Sequence, residues 1–515
     1  MTIKLSFEQL IDLGRYEAVV EQLEDQPLVE EHIPLLTEAY LGLGELSKAE
    51  TLINNWDVTD KPVGTKAQHQ LYSNLLALER GEFKEVNSSI TKLLADVGTH
   101  IPDIFLNKAL VTQAEALHRM GRFQESLKKL EPLLEQRRSQ KPEYPLLVAQ
   151  ACLIAGYVYW RNAGLKEAND LFREALSIYE RIEDPRLIGV ALDRIGLIYL
   201  ELGNFPKAEE HFKRGLDMSR QGGNQREIAN ALTHNAWIYH DQGYLVKALE
   251  LHQEALKIRK ERKNAYEIGV SLEGIGLVYY NQRLFDKAYE KFLDAMNYHE
   301  PLGNPLSIAE KVVFIARVLL QNRTLDRNHP VIKKLPTEPK DSLILQALRS
   351  MVDGLFAQQE EDWEMAFEHW LKVRDVPDQV LLYQLFTHEH LIVVSLRLWM
   401  EDPLPEKLTE LQTRLTDFET LCKRNHLLAY LTKINLIKAK IEELLFNFQE
   451  AEDILLLAIS TSTEEDFSQH HSIAVNQLDL LREKQKLLDG GRLLKRQANL
   501  FEFQNYIQNI LTYLP

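Results

Sequence analysis

Between residues 151 and 320, apolar and small positions recur at i, i+3, i+4 and i+7, the spacing of helices with one buried face. The pattern itself repeats every 40 residues. Gly156, Gly196, Ala236, Gly276 and Ala316 lead the series, and Tyr159, Tyr199, Tyr239 and Tyr279 follow three positions later. Next come Ala168, Ala208, Ala248 and Ala288, then an aromatic ring each time: Phe172, Phe212, His252 and Phe292. Ala175, Gly215, Ala255 and Ala295 close each unit. Breakers split every unit in two, at Asn162-Ala163-Gly164, Leu202-Gly203-Asn204, Gln242-Gly243 and Asn281-Gln282-Arg283. A second turn separates units, at Glu183-Asp184-Pro185, Gly222-Gly223-Asn224 and Gly303-Asn304-Pro305. A fixed period of roughly 20–50 residues marks stacked supersecondary units. The spacing predicts paired antiparallel helices, with small residues where their backbones approach and rings filling the space beside them.

The repeat continues more loosely in both directions. Gly14-Arg15-Tyr16, Gly44-Glu45-Leu46, Gly81-Glu82-Phe83 and Gly121-Arg122-Phe123 each reproduce the turn within a unit. Ser6-x-x-Gln9 ahead of the first one reads as a capping box. Downstream, Gly354, Ala366 and Trp370 fit the pattern, as do Phe446-Asn447-Phe448 with Ala451 and Ala458. One stretch breaks it: Asn322 to Ser342 carries Pro330, Pro336 and Pro339, which lack the amide donor and bias their predecessors away from helix. The expected organisation is degenerate helical repeats over 1–145, core repeats over 146–321, a Pro-containing connector over 322–342, and degenerate repeats with a cap over 343–515. The connector is either a plain surface loop or a hinge. Glu401-Asp402-Pro403-Leu404-Pro405 is a second linker candidate.

Ile195-Gly196-x2-Tyr199 with Ala208-x3-Phe212, and Ile275-Gly276-x2-Tyr279 with Ala288-x3-Phe292, resemble the tetratricopeptide repeat family. Leu192, Leu232 and Leu272, with Cys152 in the first unit, replace the family's tryptophan, and its closing proline is missing. The 40-residue period is similar to the long-helix variant of signalling adapters and sensor-type repeat domains. The resemblance implies an all-α fold, a right-handed α-solenoid of roughly a dozen stacked helix pairs. It also implies a concave groove lined by the first helix of each pair. Carried over, that rule places Tyr157, Trp160, Arg161, Asp193, Arg194, Leu197, Leu200 and Glu201 on the inner surface. Thr233, His234, Trp237, His240, Asp241, Glu273, Leu277, Tyr280, Asn281, Arg317 and Gln321 complete it. Aromatic anchors with interspersed single charges suit an amphipathic or basic peptide, or a partner helix. The other reading of Tyr157, Trp160, Leu197 and Trp237 is packing between neighbouring first helices. The lysine–asparagine clamp by which family members hold C-terminal carboxylates is not reproduced.

Composition narrows the classes of function. The chain has 515 residues, 45% of them apolar, enough to bury one face of every helix. Its 60 basic and 76 acidic residues give a net charge of −16, and the basic clusters at 257–263 and 482–496 are short and interleaved with acids or solvated. Nucleic acid is therefore not the expected partner. No apolar run approaches the roughly 18 residues that span a bilayer, and the N-terminus lacks a signal-peptide order. Only Cys152 and Cys422 are present, which fits a reducing cytoplasm, with Cys152 as a small core residue.

No catalytic motif emerges: Gly42-x-Gly44 is read as an inter-helix turn, and GxxxxGK[ST], GxSxG and HExxH do not occur. His388-x-His390 and His470-His471 are read as solvated or capping histidines rather than metal ligands. No cofactor or metal is implied. The expected function is a non-enzymatic adapter that binds a protein or peptide partner in its groove. The alternative is a ligand-responsive sensor acting on an effector in trans, which should change its dimensions on binding.

Overall fold

The computed structural model describes residues 6–489 apart from 13–14, 25, 98–101, 138–142, 162–163, 203, 224, 337–341, 377–380, 425–426, 446 and 463–467. The expected turns at Gly14, Asn162-Ala163, Gly203 and Asn224, together with Pro339, Phe446 and the cap beyond 489, lie outside the described residues. The described chain is an all-α solenoid of stacked antiparallel helix pairs, with no strand among the described residues. The N-terminal helices are α1 (Phe7–Asp12), α2 (Tyr16–Leu23), α3 (His32–Leu43), α4 (Leu46–Asn55), α5 (Val63–Arg80), α6 (Phe83–Val97), α7 (Asp103–Arg119) and α8 (Phe123–Leu134). The core repeats form α9 (Pro145–Arg161), α10 (Leu165–Ile182), α11 (Pro185–Glu201), α12 (Phe205–Gln221), α13 (Gln225–Gln242), α14 (Leu245–Glu261), α15 (Ala265–Asn281), α16 (Phe285–His299) and α17 (Pro305–Gln321). After them come α18 (Leu343–Gln359), α19 (Trp363–Arg374), α20 (Leu381–Glu401), α21 (Pro405–Arg424), α22 (Leu428–Leu444), α23 (Phe448–Thr461) and α24 (Ser468–Asp489).

Each pair closes on a glycine set against a ring. A Cβ on Gly156 would lie 2.4 Å from the Phe172 ring, one on Gly196 2.5 Å from Phe212, and one on Gly276 2.6 Å from Phe292. Gly42 faces Tyr16 in the same way, so it belongs to the interior of α3 and not to a turn; only Gly44 turns the chain. Where alanine (Ala236) stands in the glycine position, a smaller ring, His252, stands in the phenylalanine position.

The turns between units share one device. Glu183, Gly223, Lys263 and Gly303, spaced by the 40-residue period, all have positive φ of 57 to 71°. Three of the next residues then cap the following helix, with Asp184, Asn264 and Asn304 accepting from backbone N–H groups of the first turn. At the start of the chain the Ser6–Gln9 capping box is formed in both directions, at 2.9 and 3.2 Å.

Asn264 and Asn304 do more than cap. Asn264 Nδ2 donates to the Glu79 carbonyl at 2.7 Å, and Asn304 Nδ2 donates to the Arg119 carbonyl at 2.9 Å. Both links span 185 residues, so the coil returns over itself after between four and five units. Ion pairs reinforce this seam: Arg226 reaches Glu79 at 3.0 Å and Glu115 at 3.3 Å, and Arg262 reaches Glu79 at 2.6 Å. One turn further along, Leu197, Leu200 and Ile238 share a core with Leu385, Ile392 and Ile434 of α20 and α22. Each asparagine supplies one cap and one inter-turn bond, so Asn304→Ala should destabilise by about 2 kcal/mol. Hydrogen exchange should quicken around residues 119–122 as well as in α17; quickening confined to α17 would leave only the capping role.

The proline-rich stretch is less superficial than its sequence suggests. Leu325, Val331 and Ile332 are buried beside α17 and α18, and the Gln359 side chain accepts from the Leu325 amide at 3.0 Å. Pro330 and Pro336 break the helix, yet the apolar residues between them still fill the step between repeats.

Candidate functional site

The return of the coil makes part of the inner surface a partly covered chamber. A cavity of about 240 Å³ lies between the first helices of the core repeats and the helices that pass across them. Twelve of the nineteen residues singled out from the sequence line it: Tyr157, Trp160, Arg161, Arg194, Leu197, Leu200, Glu201, Thr233, His234, Trp237, Asp241 and Glu273.

Five of the other seven, Asp193, His240, Tyr280, Asn281 and Arg317, lie beside the cavity. Asp193 pairs with Arg194 and accepts from His234 Nδ1 at 2.8 Å, which fixes the orientation of both neighbours. His240 Nδ1 donates to Asp241 at 2.9 Å, and its Nε2 accepts from Asn281 at 2.9 Å. Tyr280 and Arg317 are covered by α20: the Arg317 guanidinium lies 3.5 Å from the centre of the Phe386 ring and 3.9 Å from Glu389. At this level the inner surface narrows to a short chamber that stays partly open to solvent. Leu197 is core in this arrangement, since α20 and α22 complete the packing around it.

The charges of the chamber are tied to one another. Arg161 donates to Glu310 at 2.9 Å, Tyr383 donates to the same carboxylate at 2.7 Å, and Lys311 pairs with Glu273. Burial would raise the Glu310 carboxyl, but Arg161 and Lys311 outweigh it and hold it well below the usual carboxylate range. Glu273 moves the other way: burial raises it, ahead of the opposing pull of Lys311. Arg194 donates to Glu227 at 3.0 Å and lies 4.8 Å over the Tyr157 ring, whose other neighbour is the stacked His118.

A second cavity of about 300 Å³ lies further along the axis, lined by Glu38, Lys108, Tyr144, Tyr179, Arg226 and Arg262 among others. The layer between the two consists of Arg226 with Glu115 and Glu267.

Arg119, Phe123, Arg259, Tyr266, Glu267, Glu310, Lys311 and Tyr383 also line the first chamber and were not found from the sequence. Arg119 and Phe123 come from degenerate repeats, Tyr383 from beyond the connector, and Arg259 from a second helix. For Arg119, Phe123 and Tyr383 the signal is the 185-residue return, which no local period reveals; Tyr266, Glu267, Glu310 and Lys311 lie nearer the N-terminal ends of first helices than the positions the rule selected. The histidine pair 388/390 is corrected too: His390 is buried, stacked 4.2 Å from Trp370, and donates to Gln358 at 3.0 Å, while His388 stacks on Phe418. No helix of the described residues is long and apolar enough to cross a membrane.

Residues 187–261 match the family model for the tetratricopeptide repeat. This segment belongs to the tetratricopeptide repeat family. The match spans the inter-unit turn at Gly222-Gly223 and the units built around Gly196 and Ala236. A comparison with curated proteins gives no match. Solved structures similar to the chain include a Rap protein complexed with Competence and Sporulation Factor, at 13% identity over 82% of this chain and 99% of that one, with a TM-score of 0.42. NprR in complex with its cognate peptide NprX is similar at 14% identity over 69% and 99%, with a TM-score of 0.48. The human IFIT1 dimer with PPP-AAAA is similar at 17% identity over 90% and 96%, with a TM-score of 0.42. Likeness of this depth bears on neither ligand nor activity. Within the tetratricopeptide segment, α11 and α13 supply most of the inward charges, and α14 supplies Arg259.

Proposed function

We propose that this chain is a non-enzymatic interaction scaffold that takes a segment of a protein or peptide partner into its interior chamber. The supporting observation is the wall itself. Phe123, Tyr157, Trp160, Trp237, Tyr266, Phe314 and Tyr383 present apolar rings, with ion pairs between them that fix their positions. At about 240 Å³ the chamber is smaller than the roughly 300–1,000 Å³ of ordinary ligand pockets. It therefore suits one or two anchoring side chains of an amphipathic or basic segment, the rest of which lies on the rim.

Trp160→Ala and Trp237→Ala test this; Trp160 is the cleaner probe, since Trp237 also packs on the core that holds Leu197. The wild-type chain, fixed on beads, should enrich one or more proteins from its native lysate, and each variant should lose most of that enrichment. Recovery of RNA in place of protein, or enrichment indifferent to both variants, would count against the scaffold.

The seam supports a second reading, a regulator that responds to its ligand. The chamber wall is held by contacts 185 residues apart, so a guest that favours a different spacing of the coil would couple occupancy to overall shape. Small-angle scattering with and without the captured partner separates the two: a changed radius of gyration favours the regulator, an unchanged one the scaffold.

A further inference from the structure

Four of the five cations on the chamber wall have a carboxylate within ion-pair distance. Arg119 has Glu115, Arg161 has Glu310, Arg194 has Asp193 and Glu227, and Lys311 has Glu273. Arg259 has none among the described residues. It is 2% exposed, donates to Ser271 Oγ at 2.7 Å and to Asn230 Oδ1 at 2.9 Å, and leaves its Nε without a partner. The nearest acids are already engaged: Glu267 accepts from Arg226 at 3.0 Å, and Glu227 accepts from Arg194 at 3.0 Å and Asn230 at 3.1 Å. A buried guanidinium without a counter-ion is held against a large desolvation penalty, and such a group calls for an explanation.

The surroundings point the same way. Arg194 Nε and Trp160 Nε1 are two further buried donors on this wall without partners, and Glu267 Oε2 is a buried acceptor without one. Burial lowers the Arg259 guanidinium from its ordinary value, and Glu267 and Glu227 only partly oppose that. The ring-lined remainder of the chamber takes an apolar body.

We infer that the chamber is a binding site for a small carboxylate, its anionic group on Arg259 and its apolar body against the tryptophan and tyrosine rings. The guanidinium has its Nε free and offers the planar fork that matches a carboxylate. Glu267 Oε2 adds an acceptor for an N–H or O–H on the same guest. The family's clamp for carboxylates uses the first helix of each pair; here the cation comes from α14, a second helix.

Phenylacetate and its neutral isostere phenylacetamide are the probes, titrated calorimetrically into the full chain. The acid should bind at least about tenfold more tightly than the amide, the factor a charge-assisted hydrogen bond supplies. Arg259→Gln should remove that difference, and Arg259→Lys, which keeps the charge but loses the fork, should retain part of it. No binding of phenylacetate, equal binding of acid and amide to the wild type, or an undiminished preference in a folded Arg259→Gln would each overturn the assignment. The wild-type comparison needs no variant to fold. The chamber is the one proposed above for a partner segment, and the two are read separately. Partner capture with no acid preference sinks the carboxylate site alone, and an acid preference without partner capture sinks only the scaffold.

Discussion

Lowering the pH from 7 to 5 is expected to destabilise this protein severely, before most of its carboxylates titrate. His118, His252 and His299 are buried, and each is held far below the ordinary value of 6.5, at about 3. Burial is the main cause in all three; Arg119 adds to it for His118, His240 and Arg259 for His252, and Lys311 for His299. His252 has no hydrogen-bond partner on either ring nitrogen and sits edge-on to Trp237 at 5.2 Å. In the unfolded chain these rings take up protons below about pH 6.5, whereas in the folded chain they do so only near pH 3. The unfolded state thus binds more protons between those values, and stability falls as pH falls through that window. Each pH unit below 6.5 costs about 1.4 kcal/mol per histidine, so at pH 5 the three together lose on the order of 6 kcal/mol.

The acids act lower down. Burial would raise Glu115, but Arg119 and Arg226 hold it at about 2, so its contribution is complete above pH 4.5 and is lost only as pH falls towards 2. The check is the denaturant midpoint measured from pH 7 to 5 on the wild type and on His252→Leu, which cannot take up the proton. The variant should lose its share of the pH slope, about a quarter at most, whatever its stability at pH 7, since His390 is likewise buried and held well below its ordinary value. An identical slope would mean that His252 is charged, or reaches water, in the folded state.

Gly196→Leu is the second large effect. The Cβ alone would meet Phe212 at 2.5 Å, and Phe212 is fully buried between two helices, so it has nowhere to turn. Overpacking of this kind costs about 1–3 kcal/mol where neighbours can shift, and here the upper end or beyond is expected because backbone and ring are both fixed. Units that touch only their neighbours pass the damage to both sides, so the denaturant transition should broaden as well as move. Gly223→Ala separates this packing effect from a conformational one. Its Cβ would meet nothing within 4 Å, yet Gly223 has φ +70°, and an L-residue there costs about 1 kcal/mol. From sequence alone, alanine at Gly223 is expected to change little; the positive φ corrects that. Equal small losses from both changes would show that Gly196 is not at the helix crossing.

How much of this was readable beforehand differs from residue to residue. The helix pairs, the glycine–ring contacts at Gly156, Gly196 and Gly276, and the Ser6–Gln9 cap follow from residue types at fixed spacing, because each depends on atoms within one or two turns of the same helix pair. Positive φ at Glu183 and Lys263 did not show, since neither is glycine. Both are held there by their C-terminal neighbours: the capping side chains of Asp184 and Asn264 and the packing of the next helix decide the turn.

Most of the inward residues read from the rule that first helices face the axis line one chamber. How far the returning coil covers that chamber, and with it the burial of Leu197, Tyr280 and Arg317, depends on the pitch of the coil. Pitch is the sum of small rotations between units, each set by how unlike side chains pack, and a 40-residue period is equally compatible with an open or a closed turn. The sequence by itself therefore determined the unit and the face that looks inward. Only the tertiary structure decided that repeats 185 residues apart meet at Asn264 and Asn304, and that Arg259 lines the chamber with no counter-ion among the described residues.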